Sequence, residues 1–212
     1  MQNRIKLSKL KYLKLFSDSC YGQNKNMNMI SMLAAFKAQF MPELIIKYYF
    51  PIRGHSFLPA DKVFGRIQQA LRKINSILIP EVYLEIMAKF GRILVYNKDF
   101  KALNFKHTTS MFVESQRGFK ISEARVINID DKIGLADSYN GDFKYFNVLK
   151  NSKKWADFRV SLLPSQTTVT PAKKTDVIFL LDAIGVNDIT RSFYTDILAK
   201  TARKCDENDD EF

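Results

Sequence analysis

Cysteine is nearly absent. Cys20 and Cys205 lie far apart and neither has a C-x-x-C partner, which argues against a disulfide framework and against a zinc site of clustered thiolates. No apolar run approaches the roughly 20 residues that a bilayer span requires. The first stretch, MQNRIKLSKLKYLKLF, is broken every few residues by Lys or Arg, so it lacks a signal-peptide core and the chain reads as intracellular, without a membrane partner. Neither G-x-G-x-x-G nor G-x-x-x-x-G-K-[ST] occurs, so no nucleotide cofactor is suggested, and the lack of a G-x-S-x-G elbow leaves a Ser/His/Asp hydrolase unsupported. Acidic residues are scarce in one half only. Residues 1–106 hold 18 Lys and Arg against 6 Asp and Glu, whereas residues 107–212 hold 15 against 16.

The net charge of +11 therefore belongs to the N-terminal half, and a half-chain that basic attracts polyanions, nucleic acid above all. A solubilising surface accounts for the same charge. With 212 residues and 46% apolar composition, the chain can bury a core of its own and hold one ordinary domain with a small appendage.

Tyr12–Phe16 (YLKLF) is a short apolar run that leads into Ser17-Asp18-Ser19-Cys20, and it predicts a strand ending at a carboxylate. Asn26 can cap a helix from Met27 to about Phe40 that has few polar positions and so must be largely buried. Pro42 ends that helix, and Leu44–Phe50 (LIIKYYF) predicts a neighbouring strand reached by a crossover, hence parallel to the first. Pro59 can open a further helix with Val63, Phe64, Ile67, Leu71 and Ile74 on one side and Lys62, Arg66 and Lys73 on the other. Another helix is expected from Pro80 to Phe90, then a strand over Ile93–Tyr96. From Phe105 the pattern turns to short strands, with Asn140-Gly141 marking a hairpin within Ile133–Leu149. Two C-terminal helices are expected to open at Asp176 and Asp188 around Gly185. They read as a packed hairpin, because their aspartates carry the wrong charge for a DNA reader.

Two stretches have the pattern that places acids around a divalent cation. Asp18 follows a strand, at the end where parallel sheets bind ligands, and Asp61 falls in the first turn of the Pro59 helix with His55 shortly before it. Each residue has a simpler reading. Asp18 can close an Asx turn, Asp61 can serve the helix dipole, and His55 alone is more simply a structural histidine. Asn24 and Lys25 precede a helix N-terminus, where a phosphate or simple capping would both suit them. Lys62, Arg66, Arg72 and Lys73 fit either a nucleic-acid backbone or a solvated helix face.

Asp18-Ser19-Cys20-Tyr21-Gly22-Gln23-Asn24-Lys25-Asn26, followed by Gly54-His55-Ser56 and Asp61-Lys62-Val63-Phe64-Gly65, resembles the paired signatures of a transposon-derived protein family common in insects and other animals. The likeness covers about residues 12–105. It implies an RNase H-like transposase core in a nuclear protein acting on DNA, or alternatively on RNA. In such a core Asp18 and Asp61 would hold magnesium, with His55 close by. Asn24, Lys25, Arg53, Lys62, Arg66 and Lys73 are the candidate nucleic-acid contacts. An RNase H-like core opens with a three-stranded sheet whose first strand carries the leading aspartate, and here Asp18 is the first acid. That sheet is therefore expected to be missing, the phosphoryl-transfer activity lost, and the Tyr12–Phe16 strand left as an exposed edge open to oligomerisation.

The resulting expectation is an α/β fold. A partial RNase H-like core of parallel strand-helix-strand-helix order spans 1–106, followed by a β-rich subdomain at 107–163. A linker at 164–175, a helical hairpin at 176–204 and an acidic tail at 205–212 complete the chain. Its function is that of a diverged transposase-derived nuclease, or of a module that binds nucleic acid without cutting it, or of a nonfunctional remnant.

Overall fold

The computed structural model describes residues 10–52, 58–130, 132–163 and 169–202. It is a mixed α/β protein with a five-stranded sheet and, among the described residues, six α-helices. In chain order these are β1 (Tyr12–Phe16), α1 (Met27–Phe40), β2 (Ile45–Tyr49), α2 (Pro59–Leu71), α3 (Pro80–Ala88) and α4 (Phe105–Phe112). Then follow β3 (Val126–Ile129), β4 (Ile133–Ala136), β5 (Lys144–Phe146), α5 (Pro171–Ile184) and α6 (Asp188–Ala202). Two compact units result. Residues up to Asp61 join Lys101–Leu163 in one, and Lys62–Phe100 join those after residue 168 in the other. No helix among the described residues is long and apolar enough to cross a membrane.

The first unit is the sheet and what packs on it. Strand order follows the chain, β1-β2-β3-β4-β5, with β1 parallel to β2 and each later pair antiparallel. The parallel pair is the one joined through α1, as the crossover expectation required. Helix α1 forms where expected because Asn26 accepts the Met29 amide at 3.0 Å and Met41 leaves helical geometry before Pro42. Register sorts alternate side chains to opposite faces. Leu13, Leu15, Ile46, Tyr48, Ile127 and Ile129 point to the face where Ile30, Leu33 and Ala34 of α1, with Trp155 and Phe158, close the core. Tyr12, Lys14, Phe16, Lys47, Tyr49, Asn128 and Tyr145 fall on the other face, and none of them belongs to that core cluster.

Several expectations are corrected here. The stretch 107–163 is not a subdomain apart: β3 pairs with β2, so its strands extend the sheet begun by β1 and β2. The LIIKYYF strand needs a partner on both edges to satisfy its backbone, and β3, buried on both faces, supplies it. Residues 105–112, read as the start of short strands, form α4, capped where Asn104 accepts the His107 amide. The strand expected over Ile93–Tyr96 is a turn with a single Tyr96–Phe100 bridge. There Asp99 Oδ2 accepts from Val95 N and Asn97 sits at φ 64°, so local turn chemistry outweighs β propensity. The Asn140-Gly141 hairpin is present, joining β4 to β5 through a wider loop than two residues.

In the second unit α3 ends at Ala88, short of Phe90. The linker expectation fails from Thr170 on: Thr170 Oγ1 accepts the Lys173 amide and Pro171 occupies the first turn, so α5 begins five residues before Asp176. Residues 164–168 of that expected linker, and the acidic tail, lie outside the described residues. Asn187, not Asp188, caps α6 through its contact with Thr190 N. Gly185 turns the chain at φ 66°, a left-handed position that a side chain would strain, and Arg191 pairs with Asp182 at 2.6 Å across the hairpin. The apolar stripe foreseen on α2 buries only Ile67, with Val63 and Phe64 left exposed.

Candidate functional site

Beyond Phe16 the chain stays on the ladder for one more residue, Ser17 N donating to Tyr49 O. It then folds into a compact loop built around one carbonyl. Cys20 O accepts the amides of Gln23, Asn24 and Lys25. Asp18 Oδ1 accepts Asn24 Nδ2 at 2.6 Å and Cys20 N at 3.3 Å, so the carboxylate does close an Asx turn. Asn26 Nδ2 donates to Tyr21 O while its oxygen caps α1. The amides of Asn24 and Asn26 are therefore spent on holding the loop.

Lys25 is corrected from nucleic-acid contact to internal strut. It is 4% exposed, its Nζ donates to Ser122 O at 2.8 Å, and the ammonium lies 5.2 Å from the Phe50 ring centroid and 5.8 Å from that of Tyr21. Tyr21 Oη reaches the same Ser122 carbonyl, which ties the loop to the segment leading into β3. Beneath the loop Tyr48 Oη shares a 2.7 Å hydrogen bond with Ser17 Oγ. Burial pushes the Tyr48 phenol above its ordinary value; the Ser17 bond pulls it down and the Asp18 charge raises it further.

Asp61 is the third residue of α2. Its Oδ2 accepts Leu58 N at 2.8 Å and its own amide donates to Leu58 O at 2.9 Å, a reciprocal cap that satisfies the amides of Leu58 and Asp61. His55 and Arg53 lie outside the described residues. Among the described residues no three His, Cys, Asp or Glu side chains converge. With Asp18 Oδ1 and Asp61 Oδ2 both engaged by local N–H donors, the described residues do not by themselves fit a carboxylate cluster for magnesium.

The cations of the second unit are arranged differently. Arg66, Arg72 and Lys73 line a cavity of about 480 Å³ together with Gln69, Ala70 and Phe90. Lys62 is exposed on α2 with Arg66, while Arg72 and Lys73 follow the end of that helix, and none of these four is in an ion pair among the described residues. Sequence reasoning passes over Lys14 and Lys47, which the parallel register sets side by side. The signal is present in the alternation at residues 12, 14, 16 and 45, 47, 49, but it acquires meaning only once the two strands are paired in register. No protein-family model, curated protein or solved structure matches the chain.

Proposed function

We propose that this chain is a nucleic-acid-binding module of transposase-derived, RNase H-like ancestry that holds the phosphate backbone without cutting it. The observation that carries the reading is the cluster of Arg66, Arg72 and Lys73 around one cavity, unpaired with any acid among the described residues. Cations left unneutralised on one surface repel one another unless an anion joins them, and a polyanion does so at many points. The paired motifs and the β1-α1-β2-α2 order, with β1 and β2 parallel, support the ancestry. Pairing of two copies through the β1 edge is disfavoured by Lys14, since antiparallel pairing about it would bring two lysines together.

A salt titration of duplex DNA binding tests this. Replacing Lys62, Arg66 and Lys73 by Ala should flatten the dependence of log affinity on log salt by about 0.9 for each phosphate that is no longer neutralised. Asp18→Asn/Asp61→Asn should bind as the unaltered chain does. An unchanged slope in the triple variant sinks the reading.

A second reading, the metal-dependent nuclease, is favoured by one feature: Asp18 stands at the carboxyl end of a parallel strand pair, and its Oδ2 takes no hydrogen bond from the described residues. Magnesium calorimetry beside a plasmid-nicking assay decides it. Heat and nicking that both vanish in Asp18→Asn/Asp61→Asn would replace the first reading with this one.

A further inference from the structure

The sheet face turned away from α1 bears side chains that the fold does not consume. Tyr12, Phe16 and Tyr145 on that face are 61%, 56% and 53% exposed. Tyr12 and Phe16 stand on one edge strand and Tyr145 on the other, and leaving three large rings in water on one face forgoes the burial that drives folding, as exposed aromatic surface at a binding site does. The rings are also arranged. Phe16 and Tyr49 stack with centroids 4.9 Å apart and planes 14° from parallel, beside a cavity of about 370 Å³ that Pro51, Tyr139 and Asn140 complete. Tyr139 is held there by its hydroxyl, which donates to Phe50 O. Toward the other edge of the sheet Tyr145 and Phe143 pack over Gly134, where a Cβ would come within 2.9 Å of the Tyr145 ring.

Charge on the face has one sign. Lys14 and Lys47 are direct partners across β1 and β2, neither is in an ion pair among the described residues, the Lys47 ammonium lies 5.7 Å from the Phe143 ring centroid, and no strand residue on this face is acidic. Like charges placed side by side are unfavourable unless an anion lies over them. Asn128 sits on the same face but is 7% exposed, and its Oδ1 is buried without a hydrogen-bond donor among the described residues, out of reach of a ligand lying on the surface.

Together these features select an occupant. A second copy of the face would set Lys14 and Lys47 against their own kind, and an aliphatic helix would leave the lysines without a counter-charge. A ligand with flat π surfaces and an anionic backbone suits both the rings and the lysines. Duplex DNA hides its base faces in its own stack, whereas a single strand presents them. We infer that the open face of the sheet binds single-stranded nucleic acid, with bases stacking on Phe16–Tyr49, Tyr12 and Tyr145 and phosphates meeting Lys14 and Lys47. Tyr12 and Phe16 lie about 13 Å apart along β1, room for more than one base. The inference rests on the nucleic-acid reading above but assigns an unpaired strand to residues of the sheet and not to Arg66, Arg72 and Lys73.

Fluorescence anisotropy on the full chain with labelled oligothymidylate, oligouridylate and a mixed-sequence duplex tests it. Phe16→Ala/Tyr145→Ala should weaken binding of one or both single strands by about tenfold or more. Duplex affinity should change by less than about twofold, and Phe16→Tyr should bind as the unaltered chain does. The two oligonucleotides separate DNA from RNA as the source of the strand. Lys14→Glu/Lys47→Glu, which alters no residue of the buried core, gives an independent loss should the double alanine variant melt early by circular dichroism. Failure of the unaltered chain to bind either oligonucleotide overturns the inference, as does unchanged binding by folded variants. Self-association by sedimentation that disappears in the same variants would give the face to a second copy and overturn it too. Single-strand binding that survives replacement of Lys62, Arg66 and Lys73 by Ala would separate this site from the one proposed above, and the converse pattern would leave only that one standing.

Discussion

The two faces of one sheet are made from the same strands and the same residue classes, yet on the outer strands β1 and β5 they behave as opposites, while β3 is buried on both. On the face toward α1, Ile46, Ile127 and Ile129 are fully buried, and Phe50, just past β2, joins them in the core. On the other face, the rings of Tyr12, Phe16 and Tyr145 are more than half exposed. Hydrophobicity alone does not separate the sets. What separates them is that one face has α1, Trp155 and Phe158 to bury against, while the other carries two adjacent lysines that no core would accept.

The sharpest way to break this contrast is to truncate one ring on each side. Phe50→Ala removes a side chain with no solvent exposure and should cost about 3–5 kcal/mol in urea unfolding. Tyr145→Ala should stay within about 0.5 kcal/mol, and equal costs would show that the open face is core after all. Lys25→Met comes next. It keeps the stem but removes the shorter of two hydrogen bonds to the Ser122 carbonyl, leaving the 3.4 Å one from Tyr21 Oη, a drop of about 1–3 kcal/mol with nucleic-acid affinity retained in the folded protein. Weakened binding with an unchanged melting temperature would instead restore Lys25 as a phosphate contact.

The smallest effect concerns Tyr48, the packed-face side chain whose polar end meets the Asp18 loop. Its phenol has a folded pKa above the unfolded value of about 10, so the folded state holds the proton longer. That contribution is constant below the unfolded value and is lost as pH rises through the folded one. Tyr48→Phe should therefore show a shallower fall in stability above about pH 10 than the parent, measured by denaturant melts across that range.

How much of this is legible in the sequence differs by element. Helix α1 and strand β1 fall where the Asn26 cap, Pro42 and the YLKLF run place them, because caps and breakers act over a few residues. The turn at residues 93–100 resembles a strand since Ile93–Tyr96 has β composition, while the deciding groups, Asn97 and Asp99, lie just beyond it. The start of α5 is ambiguous because Thr170 with Pro171 is as good an opening as Asp176, and the earlier one prevails. At the site, the sequence singles out Asp18 and Asp61, but their hydrogen bonds to Asn24, Cys20 and Leu58 are visible there only as alternatives.

Local chemistry in the sequence by itself determined the helix caps, the parallel β1–α1–β2 unit, the basic first half and the Asn140-Gly141 hairpin. Only the tertiary structure decided that residues 126–146 complete the same sheet, that Lys25 turns inward to Ser122, and that Lys14 stands beside Lys47. The reason is range. Caps and turns are settled by neighbours within a turn of the chain, whereas strand order, burial of a single charge and the pairing of two lysines depend on residues far away in sequence, whose approach no local pattern encodes.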